Sequence, residues 1–281
     1  MPLVPQRVRP AAVAGIWYPG TAAALTSAVD RLLAGPARAV GPKGDLVALI
    51  APHAGLKYSG PVAAYAYRLL CERVFDLVVL VGPSHFVGFE GVAVYRSGAF
   101  ETPTGLIPVD EDAAAALMGS TPLVREHDAA HAREHSLEMQ LPFLRRLAPD
   151  VAILPLVMGY QTDATARALA DGLADTLTGR RALLVASSDL SHFHAADVAA
   201  RLDRVVLDSV TQFDADALQA ALDANPEHAC GGGPIVAVMR AARRLGATAA
   251  VTLQYADSGD VSGDKSSVVG YMAGAMGRFS S

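Results

Sequence analysis

The chain has 281 residues, of which 52% are hydrophobic and 18% charged, and its formal net charge at pH 7 is −5. This is an ordinary globular composition, and a chain of this length can bury most of its surface without disulfide bonds. An acidic balance without a Lys/Arg cluster argues against a nucleic-acid or anionic-membrane surface, which leaves small molecules, peptides or proteins as partners.

The two cysteines are too few for a disulfide framework, and no apolar run approaches the length of a membrane span. The N-terminus has prolines and charges where a signal peptide needs an apolar core, so we expect a cytoplasmic protein. Cys71 falls in an amphipathic helical pattern, which predicts a small buried residue.

The predicted elements alternate between helices and short apolar strands. A helix is predicted over 22–34, and a Gly/Pro-rich connector over 34–45 is too short to divide domains. Strands are predicted over 46–51, 76–82, 151–159 and 182–187, and helices over 61–74, 134–147 and 162–177. The apolar runs are continuous rather than alternating, which is typical of strands that are covered on both faces.

Three further segments complete the predicted fold. Residues 91–110 predict a short antiparallel excursion, and 248–258 and 268–276 predict two more strands. We expect a single α/β domain over residues 1–281, with a mainly parallel central sheet and helices on both faces.

Polar residues follow three of the predicted strands. His53 follows the first strand in PHAG, His85 follows the second in PSHF, and Asp189, His192 and His194 follow the fourth in SDLSHFH. Ligands of open α/β sheets bind beyond the carboxyl ends of the strands, so these side chains can converge. Two histidines with a carboxylate or thiolate would suit zinc, iron or copper and leave coordination positions open.

Cys230, in HACGGGP, is the next candidate. If Pro234 lies in the first turn of a helix, the three glycines before it allow a close backbone approach. The thiol then lies near the positive end of the helix dipole, which favours the thiolate. A thiolate can attack a carbonyl or bind a metal, and a small buried residue in a glycine turn is the remaining alternative.

The segment HAREH, residues 131–135, fits the H-x-x-E-H signature of zinc peptidases. On one helix, His131 and His135 would share a face, with Glu134 beside them. A helix that begins only near Glu134 would break that spacing. We favour a different role, in which His135 and Glu138 share a helical face and line the wall of a substrate pocket.

Seven segments, taken together and in order, resemble the Memo family, whose bacterial and archaeal members are called AmmeMemoRadiSam system protein B. They are RPAAVAGIWYPG (9–20), APHAGLKYSG (51–60), VGPSHF (81–86), EHSLEMQLPFL (134–144), SSDLSHF (187–193), HACGGGP (228–234) and SSVVGYMAGAM (266–276). Each segment is weak alone, but the ordered combination spans nearly the whole chain and is specific.

The resemblance implies a fold like that of class III extradiol dioxygenases, the non-haem iron enzymes that open catechol rings. It implies His53, His85 and Cys230 as metal ligands, and His192 as the acid/base histidine with Asp189 beside it. The dioxygenases use two histidines and a carboxylate, whereas this chain offers a thiolate in the third position. A thiolate is softer, so it favours copper or zinc more than a carboxylate does and would shift the potential of iron.

Our leading hypothesis is an iron-dependent, dioxygenase-like oxidoreductase that acts on a small phenolic substrate, with copper or zinc as alternative metals. His192 would move the proton, Asp189 would orient it, and His135 and Glu138 would contact substrate. The alternatives are a metal-binding or peptide-binding protein without turnover, a zinc peptidase, and thiol catalysis by Cys230. The family's bacterial name also implies a pathway link to a radical-SAM protein and an AMMECR-type protein.

Overall fold

The structure is a computed structural model that describes residues 7–35, 41–71 and 73–280. Part of the connector predicted over 34–45, and the first residues of the predicted domain, lie outside these ranges. The strands are β1 (Val8–Arg9), β2 (Gly44–Ala51), β3 (Leu77–Pro83), β4 (Val92–Val94), β5 (Ala99–Thr102), β6 (Gly105–Pro108), β7 (Val124–Glu126), β8 (Ala152–Met158), β9 (Ala182–Ser187), β10 (His192–His194), β11 (Ala249–Asp257) and β12 (Val268–Phe279). The helices are α1 (Ala22–Ala34), α2 (Leu56–Tyr67), α3 (Glu111–Ser120), α4 (Asp128–Ala132), α5 (Leu141–Leu147), α6 (Asp163–Leu177), α7 (Ala196–Thr211), α8 (Ala215–Ala224), α9 (Gly232–Arg244) and α10 (Gly259–Ser262).

Four parallel strands form the centre of a large sheet, which has nine strands within the described ranges. Their order is β2, β9, β3, β8, and each neighbouring pair is parallel. Antiparallel strands flank them, since β12 pairs with β2 on one side and β4 pairs with β8 on the other. The predicted parallel sheet is therefore confirmed at its centre, whereas the pairings that flank it on both sides are antiparallel.

Helices cover both faces of this sheet, so successive strand residues enter two different cores. In β9, Leu184 and Ala186 pack in the core that also contains residues of α6 and α9. Leu183 and Val185 pack in the core that contains residues of α1, α2 and α5. All four side chains are fully buried, which is why this strand reads as a continuous apolar run. The predicted α/β class is confirmed.

Helix α2 differs from the prediction at both ends. It begins at Leu56 rather than at Pro61, which lies inside the helix, and it ends at Tyr67 before a 3-10 turn. Cys71 follows that turn and is exposed, so its predicted burial is wrong. The physical reason is that the helix stops before it reaches Cys71.

The helix predicted from Glu134 also begins later. The chain forms a 3-10 turn at Glu138–Gln140 and then α5 from Leu141. Residues 134–137 are irregular, because the Glu134 carboxylate accepts the backbone N–H of Ser136 instead of facing solvent on a helix. By contrast, α1 has the predicted bounds and α6 begins directly after its cap Thr162.

The predicted antiparallel excursion over 91–110 is confirmed. Strands β5 and β6 form an antiparallel pair, and β1 joins β5 to complete a small three-stranded sheet. The two strands predicted near the end of the chain are β11 and β12, which pair antiparallel. In the described part of the chain, no helix is both long and apolar enough to cross a membrane.

Candidate metal centre

Two of the predicted ligands, and the predicted catalytic Asp189, come from equivalent positions after neighbouring strands. His53, Asp189 and His85 each lie two residues beyond the ends of β2, β9 and β3, which are adjacent in the sheet. The ring centroids of His53 and His85 are 5.2 Å apart. Cys230 reaches the same place from the turn before α9, and its Sγ lies 3.3 Å from His53 Nε2. One donor atom from each of His53, His85 and Cys230 lies within 4.8 Å of the other two.

This spacing fits a metal ion. Metal–ligand bonds of about 2.0 Å to nitrogen and about 2.3 Å to sulfur place the two donors roughly 3.1–3.6 Å apart at ordinary bond angles. The separation of 3.3 Å between His53 Nε2 and Cys230 Sγ lies in that range. Both imidazoles use Nδ1 for contacts within the protein, to Ser187 and Glu134, which leaves Nε2 for a ligand. Two imidazole nitrogens and one sulfur could hold zinc, copper or iron.

Two of the glycines after Cys230 allow close approaches to the sheet and to the segment after β8. A Cβ at Gly231 would lie 2.6 Å from the Ser187 carbonyl oxygen, and one at Gly233 would lie 2.8 Å from Gln161 Cβ. The Gln161 side chain also stabilises the turn. Its Nε2 donates to the Cys230 carbonyl oxygen at 2.7 Å, and its Oε1 accepts the Gly233 N–H at 2.7 Å. The predicted close backbone approach is confirmed, and it places the thiol against the strand ends.

The protonation of Cys230 differs from the sequence-based expectation. Pro234 does lie in the first turn of α9, as predicted. However, burial raises the pKa of the Cys230 thiol, and the nearby Asp189 carboxylate raises it further. The pKa of the thiol is thus raised, whereas the sequence pattern predicts that the thiolate is favoured. This argues against thiol catalysis, which needs a thiol of low pKa.

Glu134, which has no predicted role outside the disfavoured peptidase motif, contacts one of the candidate ligands. Its Oε2 accepts the backbone N–H of His85 at 2.7 Å, and its Oε1 contacts His85 Nδ1 at 2.8 Å. Burial raises the pKa of Glu134, but the hydrogen bonds and charge of His85 outweigh it and lower the pKa to about 2. Glu134 is thus an ionised carboxylate that forms hydrogen bonds to both the backbone and the ring of the candidate ligand His85. The only signal in the sequence was its position beside His135 in HAREH.

The zinc-peptidase geometry is absent from the described residues. Helix α4 ends at Ala132, so Glu134 and His135 do not continue it. His131 is buried apart from the candidate ligands, with Nε2 3.1 Å from the Ala93 carbonyl oxygen. The i,i+4 pair that this signature requires does not form.

His135 forms part of the wall of the site. Its ring lies between Trp17, at a centroid distance of 4.3 Å, and His85, at 4.4 Å. Burial lowers the pKa of His135 to about 3, so its ring is neutral. Its Nδ1 lies 3.7 Å from Glu134 Oε1, and its ring nitrogens make no hydrogen bond within the described ranges.

Glu138 has a different environment from the one predicted. It is fully buried, and its carboxylate pairs with Arg9 and accepts the backbone N–H groups of Ala12 and Val13 and the Tyr18 hydroxyl. Both of its oxygens are therefore occupied by the N-terminal segment. Its predicted contact with substrate stays a prediction, and in the structure Glu138 anchors the segment that carries Trp17.

Asp189 and His192 lie next to the candidate ligands, but they are not joined as predicted. Asp189 Oδ1 accepts the backbone N–H groups of His53 and Ala54 at 2.7 and 3.2 Å, and burial raises its pKa. His192 Nδ1 contacts the Leu190 carbonyl oxygen at 2.8 Å. Asp189 thus holds the turn of His53, and Leu190 orients His192. His194 lies further out, with Nε2 3.8 Å from a Glu227 carboxylate oxygen.

The architecture is shared with a solved structure. An uncharacterized protein from Escherichia coli K12 superposes with a TM-score of 0.55 at 16% sequence identity, over 81% of this chain and 99% of that chain. The likeness shows the fold alone. Together with the sheet topology, it defines the class as an α/β protein with a mixed central sheet.

The family follows from sequence comparison. The model of the family described as Memo-like protein matches residues 9–275. A MEMO1 family protein from Methanothermobacter thermautotrophicus is 37% identical over 94% of this chain and 98% of its own length. Another, from Methanosarcina mazei, is 40% identical over 95% of this chain and 98% of its own length. The chain belongs to the Memo family.

Proposed function

We propose that this protein is a metal-dependent oxidoreductase, with iron as the metal and a small phenolic molecule as the substrate. The observation that carries the proposal is the convergence of His53 Nε2, Cys230 Sγ and His85, whose donor atoms lie within 4.8 Å of one another. Three protein ligands are typical of catalytic metal sites that leave positions open. Iron would supply the redox chemistry when bound, and copper or zinc are the alternatives that the thiolate also suits.

His192 is the group that would take the proton of a phenol. The Leu190 carbonyl oxygen can only accept a hydrogen bond, so His192 Nδ1 carries a hydrogen, and in the neutral form of the ring Nε2 carries the lone pair. A lone pair on a partly exposed imidazole next to the site is what general-base catalysis requires. The neighbouring rings of Trp17 and His135, tilted by 57° to each other, offer an aromatic wall to the ring of the substrate.

A second function, binding of a peptide or partner without turnover, is favoured by a different observation. Phe86 and Phe193 directly follow His85 and His192, and 49% and 77% of their surface is exposed. Exposed aromatic residues are enriched at binding surfaces. Phe193 also has a φ of 64°, a left-handed conformation that is uncommon for a large side chain.

Oxygen uptake separates the two functions. The protein would be reconstituted with Fe²⁺ without oxygen and then exposed to O₂ and a panel of catechols and phenols. The oxidoreductase proposal expects uptake by the wild type and its loss in His192→Gln, whereas His194→Gln serves as the matched control with normal uptake. No uptake by iron-loaded protein across the panel would support the binding function instead.

Metal analysis tests the site itself. The double variant with His53→Ala and His85→Ala is expected to lose its metal. If that variant, correctly folded by circular dichroism, retains a stoichiometric amount of iron, copper or zinc, the site is assigned to the wrong residues.

A further inference from the structure

A chain of buried hydrogen bonds behind His53 has only one consistent direction. Gln140 donates through Nε2 to the Pro52 carbonyl oxygen at 3.2 Å, and this oxygen can only accept. The orientation of the amide follows, since the opposite orientation would bring two oxygens together. Gln140 Oε1 is then the acceptor for the Tyr67 hydroxyl at 2.8 Å, and Nε2 also donates to Ser187 Oγ at 2.7 Å.

The direction continues through Ser187 to His53. The Ser187 hydroxyl has one hydrogen, and the Ser136 carbonyl oxygen, 2.6 Å away, can only accept it. Ser187 Oγ must therefore accept its other two hydrogen bonds, one from Gln140 and one from His53 Nδ1 at 2.9 Å. His53 consequently carries its hydrogen on Nδ1, and the Nε2 lone pair faces Cys230.

The same outcome is reached at His85 by a different group. Both Glu134 oxygens accept backbone N–H groups, Oε2 from His85 and Oε1 from Ser136, so the side chain acts as an acceptor and cannot rotate away. Its Oε1 lies 2.8 Å from His85 Nδ1, which therefore donates the hydrogen. Arg9 holds the backbone of the same residue by donating to the Glu134 carbonyl oxygen.

We propose that the protein sets both imidazoles as Nδ1–H tautomers before any metal arrives, with Glu134 acting on His85 and the Gln140–Ser187 pair acting on His53. These three are positioning residues that act through the histidines. The proposal deepens the proposed function and shares its metal site, but the tautomers are a property of the metal-free chain. Such partners of ligating histidines fix the orientation of the ring and raise its basicity, and their loss lowers metal affinity about 10–100-fold.

Nitrogen-15 NMR of the metal-free protein at pH 8 tests the proposal directly. The ring signals of the two histidines would be assigned from their disappearance in His53→Asn and His85→Asn. We expect both rings in the wild type to show the Nδ1–H pattern. An Nε2–H or mixed pattern at either ring in the wild type would overturn the proposal for that histidine, whatever the variants do.

Two substitutions then provide matched controls for each other. Glu134→Ala is expected to change the tautomer of His85 only, and Ser187→Ala that of His53 only, because each removes the acceptor of one Nδ1–H. If either variant changes both rings equally, general loosening of the site explains the result and the assignment is wrong. Ser187→Thr keeps the hydroxyl and is expected to retain the wild-type pattern at His53.

Competition with a chelator for Zn²⁺ measures the consequence. Both Glu134→Ala and Ser187→Ala are expected to weaken Zn²⁺ binding about 10–100-fold, whereas Glu111→Ala, at an exposed position, is expected to bind normally. If the variants shift their tautomers yet bind Zn²⁺ as tightly as the wild type, the positioning role is refuted. If the wild type shows the expected tautomers but binds no metal, the proposed function fails while the tautomer assignment stands.

Discussion

The buried pair of Arg9 and Glu138 gives the sharpest stability prediction. Only 2% of Arg9 is exposed, and Glu138 is fully buried. The guanidinium pairs with the Glu138 carboxylate and also donates to the backbone carbonyl oxygens of His131 and Glu134. Arg9→Met keeps much of the apolar volume but removes all of these hydrogen bonds. It leaves a buried carboxylate without its cation.

We expect Arg9→Met to lower the free energy of unfolding by about 3–5 kcal/mol, the usual effect of removing one partner of a buried ion pair. Three donors remain at Glu138, the Tyr18 hydroxyl and the backbone N–H groups of Ala12 and Val13, and they favour the lower part of this range. In the double variant with Glu138→Gln the uncompensated charge is gone. The two effects should therefore be non-additive by about 2 kcal/mol.

Urea unfolding measures these values, followed by far-UV circular dichroism and by the fluorescence of Trp17, the single tryptophan. Arg146→Met is the matched control, because Arg146 pairs with Asp30 at the surface and 48% of its side chain is exposed. An exposed pair contributes about 0–1 kcal/mol. An effect of Arg9→Met no larger than that of the control, or strict additivity with Glu138→Gln, would refute the reasoning.

Three further predictions concern pH, packing and thiol reactivity. Burial lowers the pKa of His131 to about 3, so between pH 6.5 and pH 3 the unfolded chain binds one more proton than the folded protein, and stability falls as the pH falls. At pH 5 this contribution is about 2 kcal/mol. Urea unfolding of His131→Leu should show stability that no longer depends on pH in this way, and a pH profile equal to that of the wild type would contradict the assignment. Gly231→Ala should lower the free energy of unfolding by about 1–3 kcal/mol, because the new Cβ would lie too close to Ser187 and Ser188. Gly35→Ala is the control, since no atom lies within 4 Å of its new Cβ. Equal thermal midpoints for the two variants would contradict the prediction. Iodoacetamide should modify the exposed Cys71 in all samples and Cys230 only slowly, after a chelator has removed the metal; rapid labelling of Cys230 in metal-loaded protein, seen by mass spectrometry, would count against it as a ligand.

The strands were predictable because burial on both faces leaves a direct mark on the sequence. Strand β9 has the predicted bounds, Ala182–Ser187. The polar residues predicted to follow three of the central strands, His53, His85 and Asp189, lie at the predicted edge of the sheet. The candidate ligands share this origin, since a histidine after a buried strand has only one edge to occupy. Cys230 needed the glycine pattern in addition.

The surroundings of the site were not predictable, because they depend on contacts between distant segments. Strand β1 has only two residues and no periodicity, and its Arg9 reads as an ordinary charged residue near the N-terminus. Nothing in its local sequence indicates that it pairs with Glu138. The spacing of EHSLEMQL predicts a helix, yet residues 134–137 are irregular because Glu134 turns toward His85.

The large sequence separations in the site also determine when it can form during synthesis. Arg9 and Glu138 are 129 residues apart, and His53 and Cys230 are 177 residues apart. At a synthesis rate of about 5–20 residues per second, Glu138 is synthesised roughly 6–26 s after Arg9, and Cys230 is synthesised roughly 9–35 s after His53. Until then the guanidinium stays hydrated, because burial of an unpaired charge is unfavourable. The N-terminal segment can therefore dock only late in synthesis, and a metal held by His53 and Cys230 together could bind only after most of the chain has been made.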